Sequence, residues 1–178
     1  MTHETRVGMS RAMLQSGDVG EALAQLDAPR GDSDMLLLAS AGTEAMVLAA
    51  AGQPERAVAL TDHANAVSVG GYLDHLQAWM ARALACAQLE DDACAREAGA
   101  TVLALADETE SPLDQALARL AQAHVLEVLG DSEAEAMRTE ARTRLDALGL
   151  AATGWETAFR LAATGGRELT PRDTTSVA

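Results

Sequence analysis

Apolar residues recur every three or four positions along most of this chain, which is the spacing of one buried face of an α-helix. A first stripe begins in GDVGEALAQL, residues 17–26, where Ala22, Leu23 and Leu26 follow the helix-capping side chain of Asp18. The same spacing returns later in the chain at Met137, Ala141, Leu145 and Leu148. The pattern predicts a series of amphipathic helices.

The turns between these helices repeat along the sequence. GQPERAVAL from residue 52 and GDSEAEAM from residue 130 have the same cadence as the stretch that begins at Gly17, and Glu90 takes the glycine position in a further copy. Aligning the turns gives spacings of 35, 38 and 40 residues. Because this length accommodates two antiparallel helices and a turn, residues 1–148 are predicted to form four stacked helix-turn-helix units.

Small side chains occupy equivalent positions on both arms of each predicted unit. One lies seven residues before the turn, and the other lies four or five residues after it. Small residues at both positions let two antiparallel helices approach closely where they cross. The pairs are Ser10 with Ala22, Ala45 with Ala57, Ala83 with Ala95, and Ala123 with Ala134.

The composition favours helices over strands. Ala and Leu make up most of the 48% apolar fraction, whereas Ile is absent and Phe and Tyr occur once each. Strong helix formers therefore far outnumber the β-branched and aromatic strand formers, and the predicted fold is all-α with about nine helices. All 13 basic residues are Arg, and this bias is typical of a high-GC, bacterial genome.

The charge limits the classes of partner. A net charge of −14 repels phosphate backbones and anionic lipid, so we expect no direct binding to nucleic acid or membranes. The N-terminal MTHETRVGMSR lacks the apolar centre of a signal peptide, and Glu44 interrupts the apolar stretch 35–52, which is predicted to be a buried helix. A cytoplasmic location is expected.

The two cysteines, Cys86 and Cys94, flank the turn QLEDD and could meet across two antiparallel helices. Two cysteines are too few for a disulfide scaffold, and no Cys or His partners for a zinc site accompany them. We expect a reduced, buried pair, with no bound metal.

A last helix is predicted within residues 149–164. Thr153 and Glu156 open it as a capping box, and its face carries Trp155, Phe159 and Ala162. This helix is expected to cap the open end of the stack. Two glycines then begin a segment, 165–178, that is expected to be a flexible tail.

The repeat resembles the tetratricopeptide-repeat family over about residues 4–148. GDVGEAL, GQPERAVAL and the small-residue pairs carry the resemblance. The chain departs from the family in its longer units, in Met, Leu or Cys at the aromatic positions, and in a fourth unit that is one residue short after its turn. The resemblance implies a right-handed α-solenoid in which the first helix of each unit lines a concave groove.

A second resemblance concerns the style of the later repeats and the end of the chain. ALARLAQAHVLEVLGDSEAEA is similar to the helical-repeat arm of large ATPase-type bacterial regulators of the LuxR family. Leu169 to Arg172 match the usual opening of a LuxR-type DNA-binding domain, with Asp173 where Glu is common. This resemblance implies the interaction arm of a transcriptional or signalling regulator without its DNA-reading domain. The alternative is a chance match in a disordered tail.

If the tetratricopeptide resemblance is followed, the groove has an apolar, Met-bearing floor with a few polar groups. Met suits adaptable recognition, so the groove is predicted to bind a protein, a peptide or a small effector. The alternative is that these side chains are inter-helix core. The predicted groove residues are Met46, Gln77, Met80, Leu84, Gln88, His124 and Glu127.

No catalytic motif and no phosphate-binding glycine pattern occurs in the chain, so the predicted module is non-catalytic and needs no cofactor. Two alternatives remain open. One is an all-α enzyme that uses His124 and Glu127 as an acid–base pair in the groove. The other is a structural module that self-associates through the apolar ends of the stack.

Overall fold

A computed structural model describes residues 2–26, 34–66 and 71–167. These ranges hold nine α-helices and no strand, which confirms the all-α prediction. The helices are α1 His3–Ser16, α2 Val19–Leu26, α3 Asp34–Ala50, α4 Pro54–Ala66, α5 Tyr72–Gln88, α6 Asp92–Asp107, α7 Pro112–Val128, α8 Ala134–Ala147 and α9 Thr153–Thr164.

One turn geometry ends the first helix of each of the first four helix pairs. A residue one or two positions after the helix has a positive φ, which is 90° at Gly17, 72° at Gly52, 59° at Glu90 and 71° at Gly130. Its N–H bonds to the carbonyl three residues back, and the next N–H bonds to the carbonyl five residues back. Both bonds satisfy carbonyls that the helix end leaves free. These turns lie at the positions that the sequence aligns.

The aligned small residues lie in the interior of the helix pairs, and all eight are buried. In the first pair the Ser10 hydroxyl donates a hydrogen bond to the Ala22 carbonyl at 2.7 Å. A second close approach joins α3 to α5, because a Cβ at Gly42 would lie 2.6 Å from the Cβ of Gln77. Small side chains therefore set the spacing within and between the pairs.

The pairs follow one another through their first helices. Helix α1 packs against α3, α3 against α5, and α5 against α7. Helices α2, α4 and α6 each also contact the first helix of the following pair. The apolar stretch at 35–52 forms α3, and its residues 40–50 are buried.

Helix α9 contacts α1, α3, α5 and α7, the first helices of all four pairs. The sequence placed this helix at the open end of the stack, and its position across the pairs differs from that expectation. The reason is its apolar side, where Ala158, Phe159, Ala162 and Ala163 are all buried. Contact with four helices covers these residues more fully than one helix pair can.

Cys86 and Cys94 form a disulfide across the α5–α6 turn, with their Cα atoms 5.8 Å apart. The two residues meet as expected because the turn reverses the chain between them. The expectation of a reduced pair was wrong for this structure. It rested on the compartment that the composition suggests, whereas the distance between the two residues is set by the turn.

No helix in the described ranges combines the length and apolarity needed to span a membrane. Gly165 and Gly166 follow α9 with φ values of 61° and 75°. The stretch from Leu169 to Asp173, on which the resemblance to a DNA-binding domain rests, lies outside the described residues.

Candidate functional site

The predicted groove residues fall into three places, because α9 lies across the first helices. Met46, Gln77 and Met80 line one cavity together with residues of α9. Leu84 and Gln88 are buried below the surface. His124 and Glu127 line a separate cleft, which involves a different face of α9.

The first of these places, which we call the α9 cavity, is partly enclosed and has a volume of about 40 Å³. A space of this size holds about three water molecules or one small organic group. Five helices that are far apart in sequence contribute to its wall. The lining residues are Arg11 and Leu14 of α1, Thr43 and Met46 of α3, Leu73, Gln77 and Met80 of α5, Asp114 and Leu117 of α7, and Trp155, Ala158 and Phe159 of α9.

Arg11 forms the polar part of the wall with Thr43 and Gln77. Its Nε and Nη2 donate to the Thr43 hydroxyl oxygen at 3.2 and 2.7 Å, and Nη2 also donates to Gln77 Oε1 at 2.9 Å. No carboxylate in the described ranges forms an ion pair with Arg11. Burial lowers the pKa of the Arg11 guanidinium. Among the described residues, this half-buried cation therefore has neutral acceptors alone.

The remaining wall of the α9 cavity is mostly apolar. Met46 and Met80 are buried, and the rings of Trp155 and Phe159 lie with their centroids 6.0 Å apart. Flexible thioether side chains beside aromatic rings can adjust to ligands of different shape. Such a wall with a few fixed polar groups is typical of a small-molecule site.

Asp114 is the carboxylate among the described residues that line this wall. Its Oδ2 accepts a hydrogen bond from the Tyr72 hydroxyl at 2.7 Å, and this bond raises the pKa of Tyr72. The neighbouring Leu73 is 40% exposed, so this part of the wall borders solvent. Asp114 on α7 and Arg11 on α1 belong to helices that do not pack against each other.

Gln88 holds α9 against the repeats and does not face an open groove. Its Nε2 donates to the carbonyl of Ala49 at 2.9 Å and to the carbonyl of Ala162 at 3.1 Å. The backbone carbonyl of Gln88 accepts a hydrogen bond from Arg167 Nη2 at 3.1 Å. The side chain thus satisfies carbonyls at the C-terminal ends of α3 and α9. Leu84 is fully buried as core.

His124 and Glu127 do meet, with His124 Nδ1 3.5 Å from Glu127 Oε2. Burial, and then the Arg138 charge, lower the pKa of His124 to about 4. Glu127 accepts a hydrogen bond from Arg138 at 2.6 Å. The histidine is therefore neutral near pH 7. A general base works best when its pKa lies close to the working pH, so a pKa of about 4 makes His124 poorly suited to that role.

The cleft around this pair has a volume of about 290 Å³ and is polar. Arg142 and Glu156 form an ion pair across it at 2.5 Å, between α8 and α9. His124 Nε2 is buried and has no hydrogen-bond partner among the described residues. Ion pairs across the cleft connect α8 to α7 and to α9. His124 and Glu127 therefore do not form an accessible acid–base pair in this structure. No group of three metal-binding side chains occurs in the described ranges.

Sequence reasoning missed Arg11, the residue that gives the cavity its charge. Met46 and His124 each lie six residues before a turn glycine, and both were assigned to the groove. Arg11 lies six residues before Gly17 and so occupies the same position in the first unit. The alignment of the repeats could therefore have identified Arg11 as a groove residue.

No family model, no curated protein and no solved structure matches this chain. A proposal for its function therefore rests on its own residues and their geometry.

Proposed function

We propose that this chain is a non-catalytic helical-repeat module that binds a small effector in the α9 cavity. The repeated turns and the sequential contacts between first helices support a right-handed α-solenoid of the tetratricopeptide kind. In that arrangement the first helices form the concave face, and α9 lies along it. The ligand would then lie between the repeats and α9.

The observation that carries this proposal is the composition of the cavity wall. Arg11, held by Thr43 and Gln77, faces the same small space as Met46 and Met80. An oriented polar group in a mostly apolar, partly enclosed space provides both affinity and specificity for a small molecule. Met46, Gln77 and Met80 also belong to the groove that the tetratricopeptide resemblance implies, and this agreement supports the proposal.

The position of α9 favours a small effector over a peptide or a partner helix. An occupant as large as a helix would have to displace α9, which buries Phe159 completely and is bonded to Gln88 at Ala162. Exposing a buried Phe side chain alone costs about 1.5–3 kcal/mol. A small molecule can enter the cavity while these contacts persist.

We further propose that the module is the sensor arm of a bacterial, cytoplasmic transcriptional or signalling regulator. The resemblance of the later repeats to such arms supports this role. Helix α9 lines the cavity, and four residues separate its end from the LuxR-like stretch 169–173. An effector that contacts α9 would therefore act close to this stretch of the chain.

The methyl groups of methionine provide a direct test with the full chain. Protein labelled with ¹³C at the Met methyl groups is titrated with a library of small metabolites and followed by NMR. We expect a binding compound to shift the Met46 and Met80 signals and to leave those of Met9 and Met137 unchanged, because neither lines the cavity. If no compound shifts Met46 or Met80, the proposed function is wrong.

A further inference from the structure

The polar part of the α9 cavity contains more hydrogen-bond donors than acceptors. Gln77 Oε1 and the Thr43 oxygen are already used by Arg11. Three donors remain without an acceptor among the described residues, namely Arg11 Nη1, the Thr43 hydroxyl hydrogen and Gln77 Nε2. A site in which Arg11, Thr43 and Gln77 still offer donors favours a group that accepts hydrogen bonds.

The positive charge of Arg11 also favours an anionic ligand. Arg11 carries a full positive charge, and neutral groups alone bind it in the described ranges. Arg11 is half-buried, so an anion bound beside it would gain both the charge interaction and the hydrogen bonds. Asp114, the other charged residue of the wall, is bonded to Tyr72 and belongs to a helix that does not contact α1.

We infer that the effector of the α9 cavity is a small organic carboxylate, with its oxygens bound by Arg11, Thr43 and Gln77 and its alkyl part against Met46 and Met80. The inference rests on the proposed function and names its ligand class. A planar monoanion matches the planar guanidinium and needs only one cation. A cavity of about 40 Å³ limits the ligand to a few heavy atoms unless the methionines move.

The test compares propionate with its neutral isostere propionamide and with propylammonium at constant ionic strength. Binding is read from the Met46 and Met80 methyl signals of the full chain. We expect propionate to bind and the other two compounds to cause no comparable shift. Removing the charge in Arg11→Gln should weaken propionate binding by about 10- to 100-fold, since hydrogen bonds to charged groups are the strong ones.

Gln77→Glu provides a second variant for the case in which Arg11→Gln does not fold. It keeps the size of the side chain and an oxygen for Arg11, but it supplies the missing negative charge within the protein. We expect a stable protein that binds propionate at least about 10-fold more weakly. Glu55→Gln is the matched control, because it removes a charge from an exposed position that does not line the cavity and should leave propionate binding unchanged. Asp114→Asn removes the carboxylate of the cavity wall and should not weaken propionate binding.

The outcomes separate the ligand class from the function. Equal binding of propionate and propionamide, unaffected by Gln77→Glu, would overturn the carboxylate and leave a small-molecule site. Binding of propylammonium that is lost in Asp114→Asn would do the same and assign the site to cations. If other compounds of the library shift Met46 and Met80 but propionate does not, the carboxylate is also wrong. If no compound shifts either signal, the proposed function fails with it.

Discussion

The side-chain amide of Gln88 donates a hydrogen bond to the carbonyl of Ala162, 3.1 Å away in α9, and a second one to the carbonyl of Ala49 in α3 at 2.9 Å. Gln88 is itself part of α5, so one buried amide connects three helices. The Ala162 carbonyl lies in the last turn of α9, where carbonyls lack partners within the helix. This contact fixes the end of α9 over the repeats and thereby helps to close the α9 cavity.

Replacing Gln88 with Met should loosen α9. The variant keeps the volume of the side chain but removes the donor to the Ala162 carbonyl, which costs about 1–3 kcal/mol. The Ala49 carbonyl loses one of two donors and keeps the N–H of Gly52. Urea unfolding measures the loss, and hydrogen exchange should become faster at the amides of α9. Gln53→Met is the control, because the side chain of Gln53 bonds only to Arg56 at the surface. An effect no larger than that of the control would mean that Gln88 does not hold α9.

Two glycines in helices provide a matched test of the helix packing. At Gly42 an added Cβ would lie 2.6 Å from Gln77 Cβ, so Gly42→Ala must push α3 and α5 apart and should cost about 1–3 kcal/mol. At Gly8 an added Cβ meets no atom within 4 Å, so Gly8→Ala should instead stabilise the chain by about 0.5–1 kcal/mol. Thermal melts of both variants measure the two effects. A neutral or stabilising Gly42→Ala would contradict the close approach of α3 and α5.

The turns and the close crossings within the helix pairs could be predicted from the sequence, because each depends on the residue types at a few neighbouring positions. A turn that needs a positive φ favours glycine, and a close helix crossing needs small side chains such as Ser10 and Ala22. The position of α9 could not be predicted from a local pattern. Its apolar side packs against four helices that are far apart in the sequence, and the spacing of its own residues does not indicate which helices these are. The predicted site is divided for the same reason, since Met80 and His124 lie beside different faces of α9.

His124 should make stability depend on pH in a defined range. The pKa of His124 is lowered to about 4 in the folded chain, whereas an unfolded histidine has a pKa of about 6.5. Between these values the unfolded state binds more protons, so stability rises with pH from about 4 to about 6.5 and falls on acidification through that range. The contribution present at neutral pH is up to about 3 kcal/mol.

Urea unfolding at several pH values between 4.5 and 7, for the wild type and for His124→Gln, measures this term. Other titrating groups contribute to both proteins, so the difference in slope reports His124. We expect a shallower dependence in the variant. Identical slopes in both proteins would contradict the lowered pKa, as would an NMR titration of His124 with a midpoint near 6.5.

The disulfide should stabilise the α5–α6 pair. Closing a loop with a sequence separation of 8 contributes about 2.5 kcal/mol by the chain-entropy relation. Adding a reductant to the folded protein should therefore lower its melting temperature by several degrees, and the Cys86→Ser, Cys94→Ser double variant should show the lower value without reductant. Two free thiols titrated in the untreated, folded protein would show that the bond is not formed in solution.

The placement of α9 over the repeats is the basis of the cavity, and the only phenylalanine of the chain reports it. Phe159 and the two cavity methionines line the same small space, so nuclear Overhauser effects should connect the Met46 and Met80 methyl groups to the Phe159 ring in the ligand-free full chain. Their observation would place α9 against α3 and α5 in solution. Effects from the Phe159 ring to Trp155 alone, with none to either methionine, would show that α9 does not cover the repeats and that the cavity is absent.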